Sequence, residues 1–331
     1  MANNKSEYDM IGIDYVELTE NSWRLPIENY TLHKCMLQSL LDEHELLTGK
    51  RVLDLACGHG LYTRELKALN CDYILGVDIS SEMIKIANDI EYQEPKGIEY
   101  QVADAKQLKP PETLFDLVTA FYLLCYARTR DELLEMAGSI HTQLGENKTF
   151  IGFTTNIMNY DEKFDKKKYG ISRQVNISLE ERPIPDGTKV FINLYNKDEK
   201  KICTFTNYHF SAVTYEQVFK ESGFKTFQWI PFQCDPRASN KELYDQFLQC
   251  PNGIDNRMAK FFSRLLGHGS SEASLSDNSN PNRASSDART ATSLENLASY
   301  HVTPKELDKN KLHKAAWEGN FKKIQHLARP G

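Results

Sequence analysis

The chain has 331 residues and carries 40 Lys or Arg against 46 Asp or Glu, a formal net charge of -6. That length admits one large α/β domain or two ordinary ones, because single hydrophobic cores stop growing near roughly 250 to 300 residues. The acidic balance argues against a nucleic acid as main partner, since such binding rests on clustered cations; the one basic run, Lys166 to Lys168, follows Asp161, Glu162 and Asp165 and reads as a solvated face.

The first predicted element is a helix over Tyr30 to Leu47, whose Leu32, Met36, Leu37, Leu40 and Leu41 form an apolar stripe. From Arg51 onward, short apolar runs alternate with amphipathic stretches. Strand RVLDLA leads to helix LYTRELKAL, strand YILGVD to helix SEMIKIAND, and then come strands IEYQV and FDLVTAF, helix ELLEMAGSIHTQL and strand KTFIGFTT. This rhythm predicts a parallel sheet covered by helices on both faces, as crossover connections require. Thr129 with Glu132, and Thr214 with Gln217, have capping-box spacing and mark helix starts.

Residues 156 to 186 are less regular. GTKVFINLYN and KICTFTNYHF then alternate about the turn Lys197 to Lys200, which predicts a hairpin able to wall a pocket. Helix YEQVFKES, a stop at Gly223 and strand KTFQWIPF follow. From about Gly267 to Ser299 the chain is too rich in Ser, Asn and Asp, and too poor in large apolar residues, to offset ordering entropy, so a disordered linker is expected. Beyond it, LHKAAWEGNFKKIQHL has helical periodicity.

Seven cysteines are widely spaced, with no CxxC pair and no zinc-type His spacing, so free thiols in a reducing compartment and no metal site are expected. No apolar leader opens the chain, and the longest apolar run, Leu117 to Ala127, falls short of the roughly 20 residues a membrane span needs. The expectation is a cytoplasmic protein without membrane partners, in which Asn147 and Asn176 match a glycosylation pattern by chance.

The most informative segment is VLDLACGHGLYTREL. A strand ends at Asp54, passes through Ala56, Gly58 and Gly60, and opens a helix, so small residues let backbone amides approach a ligand at the strand's carboxyl end. The next strand ends at Asp78, twenty residues after Gly58, where a carboxylate accepts ribose hydroxyls. A third ends near Asp104 and Ala105, placed for an adenine edge, and a fourth runs into Ala120, Phe121 and Tyr122. Each piece alone has a bland reading as turn, cap or core; their order at four successive strand ends is what points to a nucleotide-type cofactor. A nicotinamide-dependent oxidoreductase shares this arrangement, but the last glycine of GxGxxG is replaced here by Thr63.

DLACGHG, GVDIS, VADA and FDLVTAFYLLCYA resemble the four motifs of class I S-adenosylmethionine-dependent methyltransferases. YDMIGIDY, ENYTLHK and TNYHFSAVTYEQVFKESGF further resemble the toxoflavin synthase-like group, with the likeness covering about residues 7 to 255 and Cys125 departing from an Asn of that pattern. The resemblance implies a doubly wound, Rossmann-like seven-stranded sheet with its last strand antiparallel, and methylation of a small acceptor such as a heterocycle. It implies S-adenosylmethionine as cofactor, with Asp54, Ala56, Cys57, Gly58 and Gly60 about the methionine moiety, Asp78 and Ile79 at the ribose, and Met83, Asp104 and Ala105 at the adenine. Tyr15 and Tyr30 would close the site, and with Phe121 and Tyr122 are candidates to face the sulfonium. The Asn/Asp-Pro-Pro-Tyr signature of enzymes that methylate amide or adenine nitrogen is absent after the fourth strand.

Tyr122 and His209 are the candidate catalytic residues, His209 as a base if the acceptor must lose a proton. The resulting division is a methyltransferase domain over 1–265, with a pocket insertion at 156–210, a linker over 266–300 and a partial ankyrin-like segment over 301–331, whose Leu312, His313, Ala315, Ala316, Gly319 and Leu327 resemble the start of a repeat. Such repeats need neighbours, which leaves room for a protein partner bound through a longer array, and for the alternative of a catalytically weak interaction protein.

Overall fold

The computed structural model describes residues 7–20, 24–154, 157, 170–176, 183–196, 198–238 and 263–264. The chain divides into two units, Met1–Gly267 and His268–Gly331, and all described residues lie in the first. The expected linker and ankyrin-like segment lie outside the described residues.

Helices α1 (Gly12–Glu20) and α2 (Leu25–Thr31) precede the sheet. The alternation then continues as β1 (Arg51–Leu55), α3 (Leu61–Ala68), β2 (Tyr73–Asp78), α4 (Ser81–Gln93), β3 (Glu99–Val102), β4 (Phe115–Phe121), α5 (Arg130–Gln143) and β5 (Leu144–Phe153). After these come β6 (Ile171–Val175), β7 (Thr188–Tyr195), β8 (Lys201–His209), α6 (Ala212–Glu221) and β9 (Ser263–Arg264).

Among the described residues the main sheet has six strands in the order β3-β2-β1-β4-β5-β9, of which the first five are parallel and the two-residue β9 is antiparallel to β5. The order reverses beside β1, so the crevice at the carboxyl ends of β1 and β4 is the switch point where such sheets take ligands. Alternate strand residues feed two cores. Leu53, Leu55, Val118 and Phe150 pack with α5 and α6, whereas Val52, Leu117, Phe121 and Ile151 pack with α2 and α3.

A second sheet, β6-β7-β8, is antiparallel throughout. Its apolar face, with Val190, Ile192 and Phe205, is covered by Tyr8, Ile11 and Tyr15 of the N-terminal segment.

Several expected elements are corrected. The helix expected over 30–47 begins instead at Leu25, with Pro26 in its first turn as its fixed φ favours, and passes through a π turn at Leu32–Met36. It ends soon after, where the Asp42 carboxylate accepts the amides of His44 and Leu46 and so offers the backbone an alternative to the helix. Helix α6 starts at Ala212, ahead of the Thr214 cap, because Ser211 Oγ accepts the Thr214 amide at 3.2 Å.

The expected strand KTFQWIPF is assigned to no strand among the described residues. Phe227 and Trp229 pack in one core and Phe232 in the other. The irregular stretch before the hairpin contributes β6, which the sequence had not marked. Thr129 does cap α5, accepting the Glu132 amide at 3.1 Å. Among the described residues no helix is long and apolar enough to cross a membrane, and no group of His, Cys, Asp and Glu is arranged to hold a metal ion.

Candidate active site

The loop from β1 to α3 is shaped by three successive demands on its backbone. Ala56, Gly58 and Gly60 all have positive φ, at 53°, 55° and 83°. A Cβ on Gly58 would meet nothing within 4 Å, so this position opens onto free space, while Gly60 is held tightly from the β3 side by Tyr100. Gly58 therefore leaves room for a visitor's approach, and Gly60 serves the packing beneath it.

Asp78 closes the loop from β2. Its Oδ2 accepts the Gly58 amide at 2.8 Å and its Oδ1 accepts the Ser80 amide at 2.8 Å. Each carboxylate oxygen keeps a lone pair for a further donor, and the residue is 8% exposed. Burial raises the Asp78 carboxyl above its ordinary range, opposed by those two amides. Ser80 caps α4 by accepting the Met83 amide at 3.2 Å, and its hydroxyl donates to Asp9 at 2.6 Å. The N-terminal segment is thus pinned over the β2–α4 turn.

Asp54 is bonded to side chains of two neighbouring elements. It is 1% exposed and accepts the hydroxyls of Thr63 and Thr119, each at 2.7 Å, so one carboxylate ties β1 to α3 and β4. Burial pushes its carboxyl from the ordinary 3.8 up to about 6 against those two donors.

At the far side, Asp104 accepts the Lys106 amide at 2.9 Å, which turns the chain after β3. The Ala105 carbonyl is committed to the Ser139 hydroxyl of α5 at 2.6 Å. Ile79 is exposed beside Asp78, Met83 is fully buried in the first turn of α4, and the Cys57 thiol is buried and pushed well above its usual range by desolvation.

Tyr122 follows β4 at φ 64°, a costly conformation for an aromatic residue that its surroundings enforce. Its amide donates to the Phe153 carbonyl at 2.8 Å, and its hydroxyl, like that of Tyr62, donates to the buried Glu28 carboxylate. Arg24 Nη1 stands 3.7 Å from Glu28 and 3.5 Å from the Tyr122 hydroxyl, with its guanidinium 5.3 Å from the Tyr122 ring centre. Burial and then the Glu28 charge push the Tyr122 phenol far above its usual range, so it remains a hydrogen-bond donor.

Tyr15 lies within the fields of Arg24, Asp78 and Glu28, and its phenol is raised to about 12, chiefly by burial. Its ring is 4.9 Å from that of Tyr8, which stacks on Phe205 of β8 at 4.6 Å.

The structure therefore brings together Gly58, Asp78 and Tyr15, and links Tyr122 to the N-terminal side through Glu28. Phe121 instead packs between Tyr62 and Phe153 at 4.4 and 4.6 Å, inside the core. Tyr30, two positions beyond Glu28 on α2, lies toward Arg237. His209 is buried at the end of β8, with neither ring nitrogen hydrogen-bonded among the described residues and its pKa lowered by desolvation. Sequence reasoning gave no site role to Thr63, Thr119, Glu28, Arg24, Ser80 or Arg173, whose surroundings are set only once the elements are packed together.

Residues 52–146 match a family model described as a methyltransferase domain. The chain is 38% identical over 117 residues to a magnesium-protoporphyrin O-methyltransferase of Rhodobacter capsulatus, covering 35% of this chain and 47% of that protein. It is 28% identical over 124 residues to a ubiquinone biosynthesis O-methyltransferase of Paraburkholderia phymatum, covering 37% and 53%. The chain thus spans about half the length of these curated relatives. Among solved structures, an S-adenosylmethionine-dependent methyltransferase from Clostridium acetobutylicum is similar at a TM-score of 0.49 and 16% identity, over 79% of this chain and 100% of that one.

Proposed function

We propose that this protein transfers a methyl group from S-adenosylmethionine to a small-molecule acceptor. The observation that carries the reading is the bond between Asp78 and the Gly58 amide, which sets a ribose-binding carboxylate beside an open, positive-φ loop at the switch point. These residues fit an adenosyl group: Gly58 leaves room for it, Asp78 retains acceptor capacity for hydroxyls, and Asp104 and Ala105 stand at the next strand end.

The cofactor supplies an electrophilic methyl on a sulfonium, so the protein's work is chiefly to orient the acceptor and exclude water. Tyr122, kept protonated chiefly by burial, has its one O–H committed to Glu28 and is proposed to shape the acceptor side with its ring, while Tyr15 lies within the field of Asp78. Neutral His209 is the proposed proton acceptor for substrates that must be deprotonated.

The names of the curated relatives favour an oxygen acceptor. The motif resemblance to the toxoflavin synthase-like group favours a heterocycle in a cytoplasmic setting, and the C-terminal resemblance would add an ankyrin-type partner site. A nicotinamide cofactor is disfavoured because Thr63, where a dinucleotide fingerprint has its last glycine, is occupied with Asp54. Isothermal titration with S-adenosylhomocysteine and with NADH separates the two: the expected result is saturable binding of the first, and binding of NADH alone would overturn the reading.

A further inference from the structure

Arg173 lies in the middle of β6, between the buried Ile171 and Val175 on the apolar face of the second sheet. It stands opposite Ile192, which in turn stands opposite Phe205, so a guanidinium occupies one end of an otherwise apolar cross-strand row. The residue is half-buried, its Nε is buried without a hydrogen-bond partner, and no ion pair reaches Arg173 among the described residues. The charges that act on it are those of Arg24, Tyr122 and Cys125, with no carboxylate among them.

Arg24 is balanced by Glu28. Among the described residues, the charges that act on Tyr122 are those of two guanidiniums, Arg24 and Arg173, and one carboxylate, Glu28. An arginine set into an apolar face is ordinarily paired, because an ion partly removed from water without a counter-charge is disfavoured. One unpaired among the described residues, and acting on Tyr122, fits a site whose counter-ion arrives with the ligand. Desolvation first, and then Arg24, lower the Arg173 pKa to about 10, the direction expected of a cation awaiting an anion.

We propose that Arg173, backed by Arg24, receives an anionic group of the methyl acceptor, a carboxylate or a phosphate, and holds it against Tyr122. This deepens the methyltransferase reading and rests on it: the substrate class becomes small anionic molecules. Arg173 is a binding residue in this account, and Arg24 a positioning residue that keeps the local field positive while Glu28 fixes its place.

The test uses the full chain saturated with S-adenosylhomocysteine, titrated by calorimetry with benzoate, phenyl phosphate and neutral benzamide at an ionic strength fixed with sodium chloride. At least one anion is expected to bind about ten-fold tighter than benzamide, to lose about ten-fold in Arg173→Met and to recover part of it in Arg173→Lys. S-adenosylhomocysteine affinity should change by less than about two-fold in both variants, because Arg173 stands on the acceptor side. The ligand-free thermal midpoint of Arg173→Met should equal or exceed that of the wild type, since an unpaired, half-buried charge on an apolar face has been removed.

Anions binding no better than benzamide, or equally to the wild type and Arg173→Met, would overturn the proposal. So would a fall of several degrees in the ligand-free midpoint of Arg173→Met, which would reveal a structural ion pair. Failure of the wild type to bind S-adenosylhomocysteine would instead defeat the methyltransferase reading, and this proposal with it.

Discussion

The side chain of Tyr100 lies so close over Gly60 that a Cβ at residue 60 would stand 2.2 Å from the tyrosine hydroxyl. The same ring crosses Gly76 of β2, where a Cβ would stand 2.7 Å from it, so β3 buttresses the ligand loop through a path that only two glycines leave open. Gly60→Ala meets both this clash and the positive φ, and should cost about 2 to 4 kcal/mol. Chemical denaturation checks it; a loss under about 0.5 kcal/mol would mean the buttress is not rigid.

Asp54 and His209 should move stability with pH in opposite directions. The folded pKa of Asp54 is raised to about 6 from 3.8, so the folded state takes up a proton first and stability contributed at this site grows as pH falls from about 6 to 4. The difference in unfolding free energy between the wild type and Asp54→Asn should therefore shift toward the wild type by about 2 to 3 kcal/mol between pH 7 and pH 4. A difference that stays flat over that range would show that the carboxylate is solvated.

For His209 the folded pKa is lowered by burial, so its unfolded form binds the proton first and stability is lost as pH falls through 6.5. Relative to His209→Gln, the wild type should weaken below that point. Thermal melts of both proteins between pH 5 and pH 8 measure the crossover; parallel curves would place the imidazole in water.

Glu28→Gln should leave Arg24 buried without its counter-charge, at a cost of about 3 to 5 kcal/mol. Adding Arg24→Met to it should restore much of that loss, which a double-mutant cycle reads as a coupling energy. Additive losses would mean that Arg24 and Glu28 act on separate partners.

Asp78→Asn keeps the shape but gives up one acceptor, leaving the Gly58 or the Ser80 amide facing an amino group. S-adenosylhomocysteine affinity should fall about ten- to hundred-fold by calorimetry. Unchanged affinity would remove Asp78 from the binding site.

The parallel core was legible because its signals are local: apolar runs ending in Asp54, Asp78 and Asp104, each followed by a helix or turn. The Thr129 cap was legible for the same reason. What escaped was set by contacts between distant elements. The bonds of Asp54 to threonines 9 and 65 residues away had no local signal. Nor did the placing of Glu28 inward, with Tyr30 two positions on turned to another side of the helix. Arg173 carried no motif at all, and its setting is visible only once β6 is paired with β7. In the segment expected as a strand at 225–232, the visible anchors are the rings of Phe227, Trp229 and Phe232, packed in the two cores.

The segment matched to known methyltransferases, 52–146, contains Asp54, Gly58, Asp78 and Asp104, yet leaves out Tyr15, Arg24, Glu28, Arg173, Phe205 and His209. If the proposed reading holds, donor binding would rest on the matched segment and acceptor choice on the flanks. Exchanging β6 to β8 between two proteins alike across 52–146 would then be expected to change the product while keeping the coenzyme.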